Sequence, residues 1–467
     1  TAEVVHRLRA QVEGALDDFG ISDHLLNREL GGAEVRALIR QGLSESRVRT
    51  IGRQVIEQRG VNLAPLGDEE LELVRATVRD FARAEVAPLA ERIHRNDELV
   101  PDTLIRKMAA LGFFAASIPE EYGGAGMGNP AMIITTEELS AASLGAAGSL
   151  ATRPEILAKA LAAGGTEAQK RTWLPRIASG EIMVGIAVTE PDVGSDVASV
   201  STRAERAELD GRAGWMINGA KAWSTFSGRA DVLALLARTD PDRSKGARGL
   251  SLFIVPKSPS YGHAWEERQP HGGLAAGQAI PTPGYRGMHS FMLTFDNFFV
   301  PAENLVGEEA GVNRGFYLQM GGFAVGRLQT GGRATGLSQA ALEATATYVT
   351  NRRQFGKPIA EYQLTQYKLG RMATQIAAGR WLTYAAARAM DANESAAMEG
   401  AMCKLLASDI AVSVTQEGQL IHGGWGYAEE TAISRYVVDA QVLPIFEGVK
   451  PILELRVIAR ELLSGGK

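Results

Sequence analysis

Ile182-Met183-Val184-Gly185-Ile186-Ala187-Val188-Thr189-Glu190-Pro191-Asp192-Val193-Gly194-Ser195-Asp196 marks a change of character in the chain. Upstream, apolar residues recur at helical spacing. Here a run of apolar side chains leads straight into a Pro/Gly turn, the pattern of a short buried strand. Trp215-Met216-Ile217, Val232-Leu233-Ala234-Leu235-Leu236 and Leu250-Ser251-Leu252-Phe253-Ile254-Val255 repeat it, with turn residues between. Phe291-Met292-Leu293-Thr294-Phe295 reads as the last strand of the set. Residues 257–285 are rich in Gly, Pro and His and read as a long loop. A β unit is therefore expected over 186–306.

Working outward, residues 1–65 read as a helical N-terminal extension, because Val4, Val5, Leu8, Val12 and Leu16 recur at helical spacing. Asn62-Leu63-Ala64-Pro65-Leu66-Gly67 breaks that pattern and reads as a linker. Asp68 is a good N-cap for a helix carrying the stripe Leu71, Val74, Val78 and Phe81, which Pro88 should kink or end. Helical patterning then runs to about Gly180, interrupted at Pro119-Glu120-Glu121-Tyr122-Gly123-Gly124, so 66–185 is expected to be an all-α domain. After Gly307 the stripes Leu337, Ala341, Ala344 and then Met398, Met402, Leu405, Leu406 predict long helices, a bundle over 307–467. The fold class is α+β multidomain: all-α, then β, then an α bundle.

Composition narrows the function. A chain of 467 residues has room for several cores, and a net charge of -5 argues against a nucleic-acid partner. A single cysteine, Cys403, allows no internal disulfide and suits a reducing cytoplasm. No apolar run is long enough to span a bilayer, and no signal-peptide pattern opens the chain. No His or Cys pair has ligand spacing, so no metal is expected. A nucleotide-triphosphate loop of the Gly-Lys-Ser type is lacking.

Four segments carry chemistry. The turn Thr189–Asp196 offers backbone N–H groups and hydroxyls to a polar ring edge or a phosphate. Gly219-Ala220-Lys221-Ala222-Trp223-Ser224-Thr225 sets an indole two positions from a hydroxyl, a pair able to flank a planar heterocycle or simply to sit in a core. Asn351-Arg352-Arg353-Gln354-Phe355-Gly356 ends a helix with guanidinium groups that suit a diphosphate or merely cap the helix. His422-Gly423-Gly424-Trp425-Gly426 supplies bare backbone. Far downstream, Pro444-Ile445-Phe446-Glu447-Gly448-Val449-Lys450 places a lone carboxylate among apolar residues, beside a glycine that leaves its N–H approachable.

In this order and spacing, over roughly residues 66–465, these segments resemble the acyl-CoA dehydrogenase family. The resemblance implies an N-terminal α domain, a middle β-barrel domain and a C-terminal four-helix bundle. It implies FAD, held partly by a neighbouring subunit, hence a homodimer or a dimer of dimers. Carried across by position, Ala187, Val188, Thr189, Gly194 and Ser195 belong to the segment touching flavin and substrate. Trp223, Ser224 and Thr225 would pack and bond the isoalloxazine ring. Arg352, Phe355, Gln363, Gly423 and Gly424 would reach the neighbour's FAD. Glu447 occupies the place of the base that takes the α-proton, while the β-hydride goes to the flavin. Some relatives keep that base beside an arginine early in the bundle; here the pair is Gly326-Arg327, and glycine cannot be a base. Phe446, Gly448 and Arg327 would then be substrate-side contacts. Leu420, Val449 and Pro451 depart from the family pattern on the adenosine side, with Gln419 one step from the usual glutamine.

The extension, the long 257–285 segment and Gly284-Tyr285-Arg286-Gly287-Met288-His289 resemble the branch of the family that converts (2S)-methylsuccinyl-CoA to mesaconyl-CoA. A dicarboxylic acyl group needs a cation, and Arg153 in Ala151-Thr152-Arg153-Pro154 is the candidate; pairing with Glu155 or with solvent is the alternative. The expected electron acceptor is an electron-transferring flavoprotein. Other readings stay open: an acyl-CoA oxidase, a dehydrogenase for another short or branched acyl-CoA, or an inactive CoA-binding homologue. Glu447 argues against a desulfinase-like lyase.

Overall fold

The structure is a computed structural model that describes residues 2–61, 64–392 and 397–464. Asn62 and Leu63 of the expected linker, and the side chain of Val4, lie outside the described residues.

The N-terminal extension is helical, ending in Glu45–Glu57, which starts on a Ser44 side chain that accepts from the Arg47 backbone N–H. This helix lies across the bundle helix Gln363–Asp391 at a crossing made possible by two glycines. A Cβ on Gly52 would stand 1.7 Å from the Gln366 carbonyl oxygen, and one on Gly370 would stand 2.0 Å from that of Val48. Bare backbone on both helices lets them meet almost at van der Waals distance.

Asp68 caps Glu69–Phe81 as expected, its carboxylate accepting from the Glu70 and Leu71 N–H groups. Pro88 does not end the helix. Its missing N–H is absorbed by a π-helical turn, Ala82–Val86, and Ala87–Arg95 continues beyond it. The buried helix Gly128–Ala142 brings this domain against the bundle, where Arg380 pairs with Glu137 at 2.8 Å and the Tyr384 hydroxyl donates to the same carboxylate at 2.7 Å.

Eight strands form one curled sheet: β1 (Val184–Ala187), β2 (Arg203–Leu209), β3 (Arg212–Thr225), β4 (Val232–Arg238), β5 (Leu250–Pro256), β6 (Ala264–Arg268), β7 (Leu274–Ile280) and β8 (Ser290–Pro301). The order is β1-β4-β2-β3-β8-β7-β6, with β5 paired to β4. The 257–285 stretch is therefore not a loop, because β6 and β7 make a hairpin inside it. Its small residues hid it: Gly277 of β7 leaves the room that the Trp265 indole of β6 fills. β2 was missed for a related reason, since Arg-Ala-Glu-Arg-Ala-Glu-Leu alternates charge only with alanine.

The C-terminal bundle is built on Gly315–Asn351, Gln363–Asp391 and Ala397–His422, followed by the shorter Ala432–Ala440. Its core is continuous with that of the N-terminal helices, through Phe81, Met108, Leu337, Met372, Ile410 and Leu443. Cys403 is fully buried there, and burial pushes its thiol up to about 12. Among the described residues no helix is long and apolar enough to cross a membrane.

Candidate active site

Glu447 lies in the turn between Ala432–Ala440 and Lys450–Ile452, not within a helix. Its backbone is left-handed, with φ 56°, and Gly448 follows at φ 100°. For a residue with a Cβ such a conformation costs on the order of 1–2 kcal/mol, so something must hold it. Two cations do so, Lys404 buried and Arg327 half-buried, each on one carbonyl. Arg327 Nε donates to the Glu447 oxygen at 3.4 Å and Lys404 Nζ donates to the Gly448 oxygen at 2.8 Å. Burial pulls Lys404 down to about 8, with the Glu447 charge opposing the fall.

The Glu447 side chain is 7% exposed. One carboxylate oxygen, Oε2, is buried with no hydrogen-bond partner among the described residues. The other lies 4.0 Å from an Arg153 terminal nitrogen. A buried, unbonded carboxylate oxygen is costly unless a ligand meets it. Gly326 makes its place, because a Cβ there would stand 2.8 Å from Oε2.

Arg153 therefore pairs neither with Glu155 nor with bulk solvent. Its Nε donates to the Ser149 carbonyl at 3.3 Å, leaving the end of the guanidinium turned to Glu447. A second guanidinium, Arg333, is fully buried behind it and sits 5.0 Å over the Phe446 ring. Arg333 donates to the Gly326 carbonyl at 3.2 Å and to the Thr330 hydroxyl at 2.9 Å. Tyr285 packs edge-on against Phe446, ring centroids 5.4 Å apart, and its phenol oxygen is buried with no partner among the described residues. Arg333 and Lys404 were not singled out from sequence, and Tyr285 only as one letter of the Gly284–His289 stretch. The signal for the first two was present: a lone cation inside a run of small or apolar helix residues, Gly331-Gly332-Arg333-Ala334 and Met402-Cys403-Lys404-Leu405.

The second group of residues collects at the end of β1. Ala187 and Val188 are buried, and the Thr189 carbonyl accepts from the Ala222 N–H at 2.8 Å, which ties β3 to the turn. Beneath that turn, Lys221 Nζ reaches Glu190 at 2.9 Å and the Val188 carbonyl at 3.0 Å, both ends of the pair being buried. Glu190 also accepts from the Ser201 and Thr202 N–H groups. Its carboxyl is held down to about 2 because Lys221 and these donors outweigh burial, whereas burial wins for Lys221 and takes it to about 8. The register of β3 slips between Lys221 and Ser224, and Trp223 takes φ 57° there. Its indole is 58% exposed, an open aromatic face. Thr225 shares a hydrogen bond with Ser290 at 3.0 Å. The Ser224 hydroxyl is fully buried and donates to the Ile186 carbonyl, so that side chain shapes the turn rather than facing outward. Gly194 and Ser195 are exposed on the loop beyond.

A third group is distinct. Arg352, Gly423 and Gly424 line one cavity of about 620 Å³ with Tyr348, His422 and Trp425. Phe355 stands 95% exposed at the tip of a small hairpin, Arg353–Gln354 with Lys357–Pro358, and Gln363 is exposed at the start of its helix. Among the departures, Leu420 is 71% exposed, while Gln419 faces inward and donates to the Gly426 carbonyl at 3.1 Å.

These features fit FAD. The exposed Trp223 indole offers a face for a tricyclic ring, and the Arg352 guanidinium with a bare-glycine turn offers a place for a diphosphate.

Comparison with known proteins agrees. Family models for the N-terminal, middle and C-terminal domains of acyl-CoA dehydrogenase match residues 68–181, 185–298 and 313–463. The chain is 41% identical to (2S)-methylsuccinyl-CoA dehydrogenase of Cereibacter sphaeroides over 440 residues, 93% of this chain and 78% of that protein. It is 34% identical to the mitochondrial short-chain specific acyl-CoA dehydrogenase of Mus musculus, over 85% of this chain and 90% of that one. Butyryl-CoA dehydrogenase from Megasphaera elsdenii superposes with a TM-score of 0.76 at 30% identity, covering 86% of this chain and 99% of that one. The structure of the glutaryl-CoA dehydrogenase–glutaryl-CoA complex does so at 0.75 and 31% identity, over 86% and 97%. With its three domains matched, this chain belongs to the acyl-CoA dehydrogenase family of FAD-dependent oxidoreductases.

Proposed function

We propose that this enzyme carries out the α,β-dehydrogenation of a short, branched dicarboxylic acyl-CoA, (2S)-methylsuccinyl-CoA giving mesaconyl-CoA. The observation that carries the reading is Arg153: a buried guanidinium turned toward Glu447, 4.0 Å from its carboxylate. A monocarboxylic acyl chain has no use for that cation. The free carboxylate of a methylsuccinyl group would meet it, and the charge of Arg333 behind adds to the attraction. The 41% identity to a methylsuccinyl-CoA dehydrogenase supports the same reading.

In this mechanism Glu447 takes the α-proton on Oε2, the oxygen that has no protein partner among the described residues. The Glu447 N–H, left approachable by Gly448, donates to the thioester oxygen as negative charge develops there. Arg327 and Lys404 keep that N–H and the carboxylate fixed through the two carbonyls they bind. FAD, when bound, supplies the acceptor for the β-hydride. Trp223 and Thr225 orient the ring, and the Lys221–Glu190 pair stiffens the turn that carries Thr189. An electron-transferring flavoprotein would reoxidise the enzyme, and Arg352, Phe355 and the Gly423-Gly424 turn would serve a neighbouring subunit's FAD in a homodimer or dimer of dimers. We place the enzyme in the cytoplasm.

The test is an anaerobic titration of the purified yellow protein with a panel of acyl-CoAs, reading loss of flavin absorbance. Methylsuccinyl-CoA should bleach it fastest, and Arg153→Ala should slow that substrate on the order of 10²-fold, the loss of one buried charge-assisted contact, while sparing butyryl-CoA. An equal loss on both substrates removes Arg153 from this role. Rapid reoxidation of reduced enzyme in air would mark an oxidase instead.

A further inference from the structure

Away from the acyl site, three side chains converge from separate parts of the chain. Asp97 follows the helix Ala87–Arg95, His263 precedes β6, and His289 precedes β8. The carboxylate is 3.2 Å from His263 Nε2 through one oxygen and 3.4 Å from His289 Nε2 through the other. All three donor atoms lie within 4.8 Å of one another. With ligand bonds of about 2.0–2.1 Å, neighbouring donors at the corners of a zinc tetrahedron stand roughly 3.3 Å apart. The two nitrogen–oxygen spacings are of that size, each to a different oxygen of Asp97, and no separation in the group exceeds 4.8 Å. The expectation of no metal rested on neighbours in sequence, and these residues are neighbours only in space.

The surroundings suit an ion that is held rather than passing. His289 is 9% exposed, and Nε2 is the ring nitrogen turned to the cluster, while Nδ1 has no hydrogen-bond partner among the described residues. Nε2 also lies 3.0 Å from the Asp97 carbonyl oxygen. His263 is the accessible member, its side chain 57% exposed, which gives an entry path and leaves a fourth position for water. Arg286 stands 3.5 Å from Asp97, fixed by its own bonds to the Thr282 and His94 carbonyls, and orients the carboxylate from outside. Both Asp97 and His289 have left-handed backbones, each at φ 52°.

We propose that Asp97, His263 and His289 form a binding site for a zinc-like divalent transition metal, three protein ligands with one position open to water. The ion would pin the N-terminal helical domain to the strands that carry the flavin face, since Ser290, next to His289, is the hydrogen-bond partner of Thr225. Its role would be structural, and the acyl chemistry does not depend on it.

Holoenzyme freed of metal by a chelator and dialysed against micromolar zinc is the test, with bound metal and melting temperature as readouts. The proposal expects one zinc per protomer and a melting temperature raised by zinc. His263→Ala, an exposed position, and Asp97→Asn, a near-isosteric change, should each weaken zinc binding roughly tenfold or more and abolish the rise in melting temperature. Zinc bound with equal affinity by wild type and both variants, or not retained by wild type at all, overturns it.

Discussion

Glu447 and Gly326 are two halves of one arrangement. The acid occupies the space that a side chain at 326 would take, since a Cβ there would come within 2.8 Å of Oε2. Gly326→Ala should therefore fold and keep its yellow colour, yet lose activity on the order of 10²-fold by shifting the base by a fraction of an ångström. Turnover against flavin content checks this. Glu447→Gln should also hold FAD but slow acyl-CoA bleaching by about 10²–10⁴-fold; near wild-type bleaching would remove it as the base. At this scale much was legible. The apolar neighbours of Glu447 and the missing acid at 326 could be read from the letters, with the family resemblance naming their roles. Arg333 and Lys404 were not read, because a cation in a helix is ordinarily solvated, and only packing shows which ones are enclosed.

Among elements, the turn after β1 is held by charge. Removing Lys221 leaves Glu190 buried with its cation gone, so Lys221→Met should cost about 3–5 kcal/mol, the usual penalty of breaking a buried pair. Thermal or denaturant melts would show it, with earlier FAD release. The pH dependence has a definite sign. Glu190 is depressed to about 2, so its contribution is complete above the ordinary carboxylate range and is lost as pH falls toward 2. Wild type should lose stability on that acid limb, and Glu190→Gln should be weaker at neutral pH but flatter below it. Strand patterns were legible where branched residues cluster, as in β4 and β5. They failed at β6, where three of five residues are charged, and at β7, where alanine and glycine fill the strand and Trp265 of β6 supplies the packing. Trp223 could be marked as an interesting indole, but the bulge that turns it outward depends on the register between β3 and β8, which no local window contains.

Across the whole molecule, one tight helix crossing unites distant parts of the chain. The Gly52–Gly370 crossing seats the N-terminal extension on the bundle. Gly52→Val would drive a side chain into the Gln366 carbonyl and should cost about 1–3 kcal/mol, seen as faster hydrogen exchange over Glu45–Glu57. The order of α, β and α layers was legible from periodicity alone. The docking of the extension was not, because a glycine in a helix reads as a weakness until its partner helix is known.

Cys403 has a practical consequence. The chain has a single cysteine, wholly enclosed and with its thiol pushed up to about 12, so maleimides at neutral pH should pass it by. A cysteine introduced in place of Phe355, at the tip of the small hairpin, would then be the sole reactive thiol in the protein. Spin labels attached there would report how far one hairpin stands from its counterpart in an assembled particle, without first stripping the native sequence of sulfhydryls.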